Sequence, residues 1–430
     1  MSCQCLTKEG KGPQCRRRAV IVGLCNQHFK LQCQSRVMAS PQVHPSPQPQ
    51  LKQIKIKPKS QPQPLEAPQS LNQRDSVYYI HTSQRSNKLA MFDLDGTLIK
   101  TLSGHKFPQS ETDWQLTYSN VSHLLRTYID NRYKLIVFSN QYKTDMTLFE
   151  KKLIAFQNAV NLPIEFYIST DKDSYRKPMT DMWDLMLELN QLTPNLVDHE
   201  SFYCGDAAGR PGDFNITDRY FAYNIGLGFY TPEELFLNAD PLPYKDPYQS
   251  ELHLDQFVSH EPYPLHVQTS VKQKNVVLMV GPQASGKSSL IQNEAFANYL
   301  YLNNDTIKNL TQLKKLFTEA IKNGQSVIVD NTNPSLETRE YYFTSAKQNG
   351  YNIYCYFFDF PKVLACHLNQ MRVQMSHGHQ RAIPMVAIHT YYKKLVKPEL
   401  SEGFDQIITL KHIYQPLSLK YYYYHYNLSD

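Results

Sequence analysis

Two short motifs constrain the fold of this chain, because each follows an apolar run of the length of one β-strand. The first is DLDGT at Asp93–Thr97, directly after Leu89–Phe92, and the second is GPQASGKS at Gly281–Ser288, directly after Val276–Val280. A phosphate-binding loop that follows a buried strand and opens a helix is typical of parallel α/β sheets. The sequence therefore predicts the α/β class, with two α/β domains built on mainly parallel sheets.

The length and composition are those of a multidomain globular protein. At 430 residues, with 41% hydrophobic residues, the chain can form two or three domains that each bury a core. No apolar run approaches the roughly 20 residues of a membrane span, and the N-terminus lacks a signal-peptide core. We therefore expect a soluble intracellular protein without a membrane partner, in the nucleus or cytoplasm, or in a viral factory or virion if the source is viral. The net charge of +6 is compatible with a polyanionic partner but does not identify one.

Changes in composition divide the chain into four segments. Residues 36–74 are rich in Pro, Gln and Ser and cannot bury enough apolar surface to order themselves, which predicts a linker. Residues 1–35 form a Cys-rich unit, whereas residues 75–245 and 246–430 alternate apolar strands with amphipathic stretches, as βαβ units do. The Tyr-rich segment Tyr421–Tyr424 is apolar enough for a packed final strand, with a nucleic-acid stacking surface as the alternative.

Polar side chains follow the predicted strands of residues 75–245. Because catalytic groups gather beyond the carboxyl ends of parallel strands, Asp93 can attack phosphorus there, and Asp95 can protonate the leaving oxygen and then activate water. Ser139 offers a hydroxyl to a phosphoryl oxygen, and Lys177 can neutralise the charge that grows on it. Asp206 can hold Mg²⁺ with Asp93, and Asp95 is included in this predicted metal site. The set resembles the haloacid-dehalogenase (HAD) type phosphatase superfamily, which implies an HAD-like Rossmannoid domain.

The second motif is a Walker A loop between a strand and a helix, the context that such a loop requires. Its backbone N–H groups can cradle a triphosphate, Lys287 can reach the β/γ oxygens, and Ser288 can ligate Mg²⁺. Transfer to a hydroxyl also needs a base, and Asp305 follows the apolar stretch Tyr299–Leu302; a helix N-cap is its alternative role. The residues predicted to bind ATP are Gly281, Ser285, Gly286, Lys287, Ser288, Ser289 and Arg372.

Arg372 is the candidate lid residue of this nucleotide site. It lies on the amphipathic stretch Val363–Gln374 and can close over the triphosphate, although taken alone it reads as a surface helix residue. Arg381 is a second candidate. The segment Asp330–Asn333 follows another apolar strand and can contact Mg²⁺, the acceptor end or both.

From about Lys88 to the C-terminus, the sequence is similar to the bifunctional polynucleotide kinase 3′-phosphatases of DNA end repair. The matching stretches include YRKPMTDMWD, GDAAGRPGDF, TDRYFAYNIG, GPQASGKSS and VDNTNP. The resemblance implies Mg²⁺ and ATP as cofactor and phosphoryl donor. The implied roles are Asp93 as nucleophile, Asp95 as acid/base, Ser139 and Lys177 as phosphate ligands, Asp206 as a Mg²⁺ ligand, and Asp305 as base for a 5′-hydroxyl.

The sequence also departs from the pattern of that family. Asn304 stands where the family usually has arginine, which removes a positive contact to the substrate phosphate, and Gln370 replaces an expected arginine, which leaves Arg372 to serve the lid. Asp213 and Asp218 match a further acidic element whose individual roles stay open. In the place of the phosphopeptide-binding domain of the animal enzymes stand the Cys-rich unit and the linker.

The Cys-rich unit predicts a small zinc module. Cys5, Cys15, Cys25 and His28 form a C-x9-C-x9-C-x2-H pattern, and three thiolates with an imidazole suit tetrahedral Zn²⁺. The unit resembles small treble-clef-like modules of bacterial and large-virus proteins. Cys3 and Cys33 are left over, and either can replace one of the four ligands. Reduced cysteines without metal are the other alternative.

Together these features predict an enzyme that prepares DNA ends for ligation, removing 3′-phosphates through an aspartyl-phosphate and phosphorylating 5′-hydroxyls with ATP. One alternative is the repair of RNA ends. Another is an active 3′-phosphatase whose kinase domain serves mainly as a DNA-binding scaffold, and a third is a small-molecule phosphatase fused to an unrelated kinase. The predicted partners are nucleic-acid ends and a ligase or repair complex, and the predicted oligomeric state is a monomer.

Overall fold

The computed structural model describes residues 71–246, 248, 251–264, 274–414 and 419–428. The predicted zinc ligands Cys5, Cys15, Cys25 and His28, and the predicted linker up to residue 70, lie outside these residues. The described residues contain two large sheets, one in the first half (residues 71–246) and one in the second half (residues 248–428). Within these ranges, every helix falls short of the length and hydrophobicity that a membrane crossing requires.

The first half is built on a mainly parallel sheet with the described strand order β1-β2-β7-β6-β3-β8-β9. The strands from β7 to β9 in this order run parallel, and β1 and β2 form an antiparallel edge. A separate antiparallel ribbon pairs β4 with β5. The strands are β1 (Asn72–Arg74), β2 (Val77–Ile80), β3 (Leu89–Phe92), β4 (Ile99–Lys100), β5 (Gln115–Leu116), β6 (Lys134–Asn140), β7 (Ile164–Ser169), β8 (Phe202–Cys204) and β9 (Gly228–Tyr230).

The central strands of this sheet bury residues on both faces, as in a parallel sheet covered by helices. All residues of β3 and β7 are buried. Phe92, the last residue of β3, pairs with Val137 on β6 and with Cys204 on β8, so the residues that follow these positions emerge at one edge. The helices of this half are α1 (Val121–Asp130), α2 (Met146–Val160), α3 (Asp181–Leu189), α4 (Thr217–Asn224) and α5 (Pro232–Leu237).

The sheet begins earlier in the sequence than predicted. Residues Asn72–Arg74, which were assigned to the linker, form β1 and pair with β2. Their sequence NQR is polar, and their side chains are exposed or half-buried. An edge strand needs no apolar side chains, because its backbone hydrogen bonds hold it in place, and composition therefore did not mark it.

The second half is built on a parallel sheet with the described strand order β12-β13-β11-β14-β15. In this register Asn303 pairs with Asp330, and Val280 pairs with Phe357. The loops that carry the predicted nucleotide and acceptor residues therefore leave the same edge of the sheet. The strands are β10 (Val258–Ser259), β11 (Asn275–Val280), β12 (Leu300–Asn303), β13 (Val327–Asp330), β14 (Asn352–Phe358), β15 (Gln406–Leu410) and β16 (Ile413–Tyr414).

Helices pack on both faces of the second sheet and form two apolar layers. On α8, for example, Leu313 and Phe317 are buried and four residues apart, the spacing of one helix face. The described helices of this half are α6 (Lys287–Ile291), α7 (Asn304–Ile307), α8 (Leu310–Lys322), α9 (Leu336–Gln348), α10 (Lys362–Met375), α11 (Met385–Lys394) and α12 (Leu419–Tyr422).

The predicted final strand at Tyr421–Tyr424 is wrong. The segment begins with the short helix α12 and continues without regular structure to residue 428. Tyr422, Tyr424 and Tyr426 are buried, which is the alternation expected of a strand. However, the backbone N–H of Tyr426 donates to the hydroxyl of Tyr248 at 2.6 Å instead of to a neighbouring strand, so the packing was predicted correctly but the backbone was not.

Candidate active sites

Three carboxylates meet at the edge of the first sheet. Asp93 directly follows β3, and its backbone N–H donates to the carbonyl of Cys204 on β8 at 2.8 Å. Among the described residues, Asp93, Asp206 and Asp218 form a group in which one carboxylate oxygen of each residue lies within 4.8 Å of those of the other two. We call these residues the carboxylate cluster. Oxygen atoms at this spacing suit a hard divalent cation such as Mg²⁺.

Lys177 lies within this cluster. Its Nζ is 2.6 Å from Asp93 Oδ1, 2.7 Å from Asp218 Oδ1 and 2.8 Å from the hydroxyl of Tyr203. Burial acts to lower the pKa of the Lys177 ammonium, but the charges of Asp218 and Asp93 prevail and raise it above its usual value. Burial raises the pKa of Asp93 well above the usual range, and Lys177 offsets this only in part. One ammonium thus faces three carboxylates, a local negative excess that a cation would neutralise.

Asp95 lies outside the carboxylate cluster. Its Oδ1 accepts from Lys152 Nζ at 2.8 Å, and its Oδ2 accepts from Gln141 Nε2 at 2.6 Å. Gln141 Nε2 also donates to the hydroxyl of Ser139 at 2.9 Å, so these predicted residues share one polar network. The Asp95 side chain is about half exposed, at 47%, and can meet a leaving group and a water molecule. The structure therefore favours its acid/base role over the predicted metal contact of its carboxylate.

Gly96 allows the motif loop to pass close to Asp206. Its φ is +86°, and a Cβ atom at this position would lie 2.3 Å from Asp206 Oδ2. Every other residue type would therefore displace the carboxylate, in addition to straining the backbone. The backbone N–H of Asp206 donates to the hydroxyl of Thr97 at 3.1 Å. In the DLDGT motif, glycine thus leaves space for the Asp206 carboxylate, and threonine holds the Asp206 backbone.

Sequence reasoning did not assign Asp218, Tyr203 or Lys152 to the site. Asp218 matched an acidic element of open role, and the structure separates it from Asp213, whose carboxylate is paired with Arg210 at 2.9 Å. Asp218 Oδ2 also accepts from the backbone N–H of Ala207 at 3.0 Å. The path of the backbone between Asp206 and Asp218 therefore determines which acidic residue joins the cluster. No local pattern in the sequence distinguishes the two residues.

The Walker A loop forms the centre of the second site. Lys287 Nζ donates to the carbonyl oxygens of Gly281 at 3.1 Å and Pro282 at 2.5 Å. Burial lowers the pKa of Lys287 to about 8, against the opposing effect of Asp330 and Asp305. Lys287 Nζ also donates to the hydroxyl of Ser285 at 3.3 Å. A buried ammonium held by uncharged oxygens suits the anionic oxygens of a triphosphate. The other predicted loop residues surround it: Ser285 is buried, whereas Gly286, Ser288 and Ser289 are exposed.

Ser288 and Asp330 connect the loop to the neighbouring strand. Ser288 Oγ donates to Asp330 Oδ2 at 2.8 Å, and the hydroxyl of Tyr301 donates to the same oxygen at 2.8 Å. A hydroxyl and a carboxylate in contact beside a phosphate-binding loop are the usual holders of Mg²⁺ in P-loop enzymes. The arrangement therefore fits a nucleotide bound with Mg²⁺.

Asp305 lies on α7, one turn beyond β12. The N-cap of this helix is Asn303, whose Oδ1 accepts from the backbone N–H of Asp305 at 2.6 Å. The alternative role of Asp305 as an N-cap is therefore wrong. Its carboxylate is exposed, and its charge acts on the pKa of both Lys287 and Arg372, so it faces the nucleotide site.

Arg372 lies on α10 and is half-buried. Its Nη2 donates to the carbonyl of Arg381 at 3.0 Å, across the turn that follows the helix. Burial lowers the pKa of Arg372, and the charge of Asp305 acts against this shift. Gln370, which replaces an expected arginine, is buried. Arg372 therefore lies near enough to Asp305 for their charges to interact, and its role as a lid residue stays a prediction.

Comparisons with known proteins show which families the two halves of the chain resemble. Residues 88–236 match the family described as "Polynucleotide kinase 3 phosphatase", and residues 311–412 match "Zeta toxin". A "Bifunctional polynucleotide phosphatase/kinase" of Schizosaccharomyces pombe is 34% identical over 345 residues, 77% of this chain and 82% of that protein. A "Putative bifunctional polynucleotide phosphatase/kinase" of Acanthamoeba polyphaga mimivirus is 32% identical, over 75% of this chain and 84% of that protein. The "Polynucleotide 3'-phosphatase ZDP" of Arabidopsis thaliana is 33% identical over 37% of this chain and 25% of its own length.

Proposed function

Because this chain belongs to the family of bifunctional polynucleotide phosphatase/kinases, we propose that its two sites remove 3′-phosphates and phosphorylate 5′-hydroxyls at the ends of DNA breaks. The observation that carries this proposal is the presence in one chain of a carboxylate cluster with Lys177 and a Walker A loop with Ser288 and Asp330. The products, a 3′-hydroxyl and a 5′-phosphate, are the groups that a ligase joins.

In the first site, Asp93 attacks the phosphorus of the 3′-phosphate and the bond to the 3′-oxygen breaks, which leaves an aspartyl-phosphate. Asp95 gives its proton to the leaving oxygen, then takes a proton from the water that hydrolyses the intermediate. Lys177 and the hydroxyl of Ser139 stabilise the charge on the phosphoryl oxygens. Asp93, Asp206 and Asp218 would hold Mg²⁺, whose chemical contribution when bound is to neutralise that same charge.

In the second site, Lys287 and the backbone of the Walker A loop bind the phosphates of ATP. Asp305 takes the proton of the 5′-hydroxyl as its oxygen attacks the γ-phosphorus, and ADP leaves. Arg372 covers the triphosphate from the side of the lid. Ser288 and Asp330 would hold Mg²⁺, which would neutralise part of the negative charge of the triphosphate when bound.

Exposed aromatic rings beside the first site support a polynucleotide substrate. Phe107 and Phe214 are 69% and 82% exposed, and the Nζ of Lys106 lies 5.7 Å and 4.7 Å from their ring centroids. Phe214 belongs to the loop between Asp206 and Asp218. Rings that can stack on bases, next to a cation that can pair with phosphate, are typical of single-stranded nucleic-acid binding.

Replacing Phe214 with alanine tests this surface. We expect KM for a 3′-phosphorylated oligonucleotide to rise roughly 5- to 150-fold, because stacking on one base contributes about 1–3 kcal/mol. KM for p-nitrophenyl phosphate, which has no bases, should not change. Leu196→Ala is the matched control, because Leu196 is also exposed but lies at a short helical turn away from the active-site loops. An equal loss with both substrates would contradict a stacking role.

The proposed Mg²⁺ site should make stability depend on pH. Burial, together with the charge of Asp218, raises the pKa of Asp206 to about 7, compared with about 3.9 for a free Asp. The folded protein therefore binds more protons than the unfolded chain between these values. The resulting stability is fully present below about pH 4 and is lost as the pH rises through about 7, at up to about 1.4 kcal/mol per pH unit for one proton.

Urea denaturation in EDTA at several pH values measures this dependence. We expect the free energy of unfolding to fall less between about pH 5 and pH 8 in Asp206→Asn than in the wild type. Added Mg²⁺ should stabilise the wild type more at the upper pH, because protons compete with the cation. Identical pH slopes in the two proteins would mean that Asp206 does not titrate in this range.

One experiment tests the function as a whole. An oligonucleotide with a 5′-hydroxyl and a 3′-phosphate, made as DNA and as RNA, is incubated with labelled ATP and Mg²⁺. Processing of both DNA ends supports the proposal, and preference for the RNA form favours RNA repair. Release of the 3′-phosphate without labelling of the 5′-end of the DNA or of the RNA would favour the scaffold alternative. That alternative is based on Asn304 and Gln370, which replace expected arginines. Zinc at Cys5, Cys15, Cys25 and His28 stays a prediction.

A further inference from the structure

The two halves meet at a buried contact between the helix that carries Arg372 and the loop that carries Lys177. Gln374 lies two residues after Arg372 on α10, and its Nε2 donates to Asp181 Oδ1 at 2.7 Å. Asp181 begins α3, four residues after Lys177, and its Oδ2 accepts from Ser174 Oγ at 2.5 Å. All three side chains are buried. We call Ser174, Asp181 and Gln374 the junction.

The turn after α10 packs on the same loop. Gly378 has a φ of +78°, and a Cβ atom there would lie 3.1 Å from Asp173 Cβ and 3.4 Å from Ser174 Oγ. His377 Nδ1 lies 3.5 Å from Asp181 Oδ2. The absence of a side chain at Gly378 thus allows the turn after α10 to pack directly on the loop of Lys177.

A second contact holds the other side of this loop. Asn224 on α4 donates from Nδ2 to the carbonyl oxygens of Pro178 and His425, each at 2.8 Å. The backbone N–H of His425 donates back to Asn224 Oδ1 at 2.7 Å. The loop of Lys177 is therefore connected to the second half at two places. Asp181 contacts Gln374 directly, and Pro178 is connected through Asn224, which also binds His425.

Arg372 lies in the same turn of α10 as Gln374. Residues two apart on a helix are held within one hydrogen-bonded turn and move together. The hydrogen bond from Gln374 to Asp181 consequently limits the movement of this turn of α10. It thereby limits the position from which the Arg372 guanidinium donates to the Arg381 carbonyl. The Nε2 of Gln374 thereby restrains the position of groups in both active sites.

We propose that Gln374 and Asp181 are positioning residues for both reactions. The junction fixes the Lys177 ammonium in the first site and the Arg372 guanidinium in the second. This inference rests on the proposed function, because it takes both residues as parts of working active sites. It predicts that a single substitution outside both sites lowers both activities, whereas Asp93→Ala and Lys287→Ala should each remove one.

The test is Gln374→Leu in the full-length chain. Leucine has a similar volume but cannot donate to Asp181, so both the loop and the lid lose one restraint. We expect kcat/KM to fall roughly 10- to 100-fold for the phosphatase and for the kinase, since misplacement of catalytic groups by about 1 Å has effects of this size. Gln348→Leu is the matched control, because Gln348 is an exposed glutamine at the end of α9, outside both sites, and it should keep both activities.

Asp181→Asn separates positioning from simple loss of folding. Asparagine keeps the oxygen that accepts from Gln374, so both activities should stay within about threefold of the wild type, about 0.65 kcal/mol in transition-state free energy. In Gln374→Leu, the Ki of orthovanadate, a mimic of the phosphoryl-transfer transition state, should rise with the loss of phosphatase kcat/KM, while the Ki of inorganic phosphate stays constant. Partial unfolding would reduce the number of active sites but would change neither Ki.

The possible outcomes are distinct. A fall in both activities with a raised vanadate Ki supports the junction. A fall in only one activity, no fall, or an unchanged vanadate Ki overturns it. Absence of kinase activity in the wild type on DNA and RNA overturns the proposed function itself, which distinguishes that failure from failure of the junction.

Discussion

Asp93→Asn is expected to abolish the release of phosphate from 3′-ends while the transfer of phosphate to 5′-hydroxyls continues. Asp93 lies in the carboxylate cluster, 2.6 Å from Lys177 Nζ, where it can attack phosphorus. An amide of the same shape cannot form the aspartyl-phosphate, and loss of a nucleophile lowers kcat by roughly 10⁴-fold or more. Phosphate release and 5′-labelling, measured on the same oligonucleotide and protein preparation, give both activities at once.

The same variant should be at least as stable as the wild type without metal. Burial and the neighbouring Asp218 raise the pKa of Asp93, so its ionised form is costly to bury, and a neutral amide removes that cost. Urea denaturation in EDTA measures the difference, with Asp130→Asn as the control, because Asp130 is exposed at the end of α1. Loss of both activities together with lower stability would mean that Asp93 is needed for folding and would contradict the catalytic assignment.

Lys287→Ala is expected to have the converse effect. Lys287 is the buried ammonium at the Walker A loop, and removal of one such charge from a phosphoryl-transfer site lowers kcat on the order of 10²- to 10³-fold. Phosphatase activity should be unchanged. Because burial lowers the pKa of Lys287 to about 8, the wild-type kcat/KM for ATP should also fall as the pH rises above that value.

Lys322→Ala is the control for this change, because Lys322 is an exposed lysine at the end of α8. It should retain both activities. Initial rates of 5′-labelling at several ATP concentrations separate binding from catalysis. If Lys287→Ala labelled 5′-ends at the wild-type rate, the Walker A loop would not be the site of transfer.

Much of the geometry of both sites follows from short apolar runs that mark parallel strands. The apolar runs near Asp93, Ser139 and Asp206 become β3, β6 and β8. Because these strands are parallel, their carboxyl ends lie at one edge of the sheet, where catalytic groups gather. The same rule relates the Walker A loop to Asp330. Strand position in the sequence is a local property, and it was therefore predictable from local patterns.

Other features depend on contacts between distant residues and left no such pattern. Asp218 lies in the first turn of α4 and joins the carboxylate cluster only because the preceding loop folds back, while Asp213 in that loop pairs with Arg210. Tyr203 reads as an apolar strand residue, yet its hydroxyl contacts Lys177 at 2.8 Å. The tyrosines after residue 420 alternate as in a strand, but side-chain hydroxyls take the place of a partner strand. Gln374 and Asp181 are 193 residues apart.

The two hydrogen bonds between Asn224 and His425 have a consequence for biosynthesis. The paired residues are separated by 201 positions, and a ribosome adds about 5–20 residues per second. His425, the last residue that restrains the loop of Lys177, is therefore synthesised on the order of 10 to 40 s after Asn224. A nascent chain that already contains every residue of the first active site is thus expected to gain its full phosphatase rate only after His425 has been synthesised.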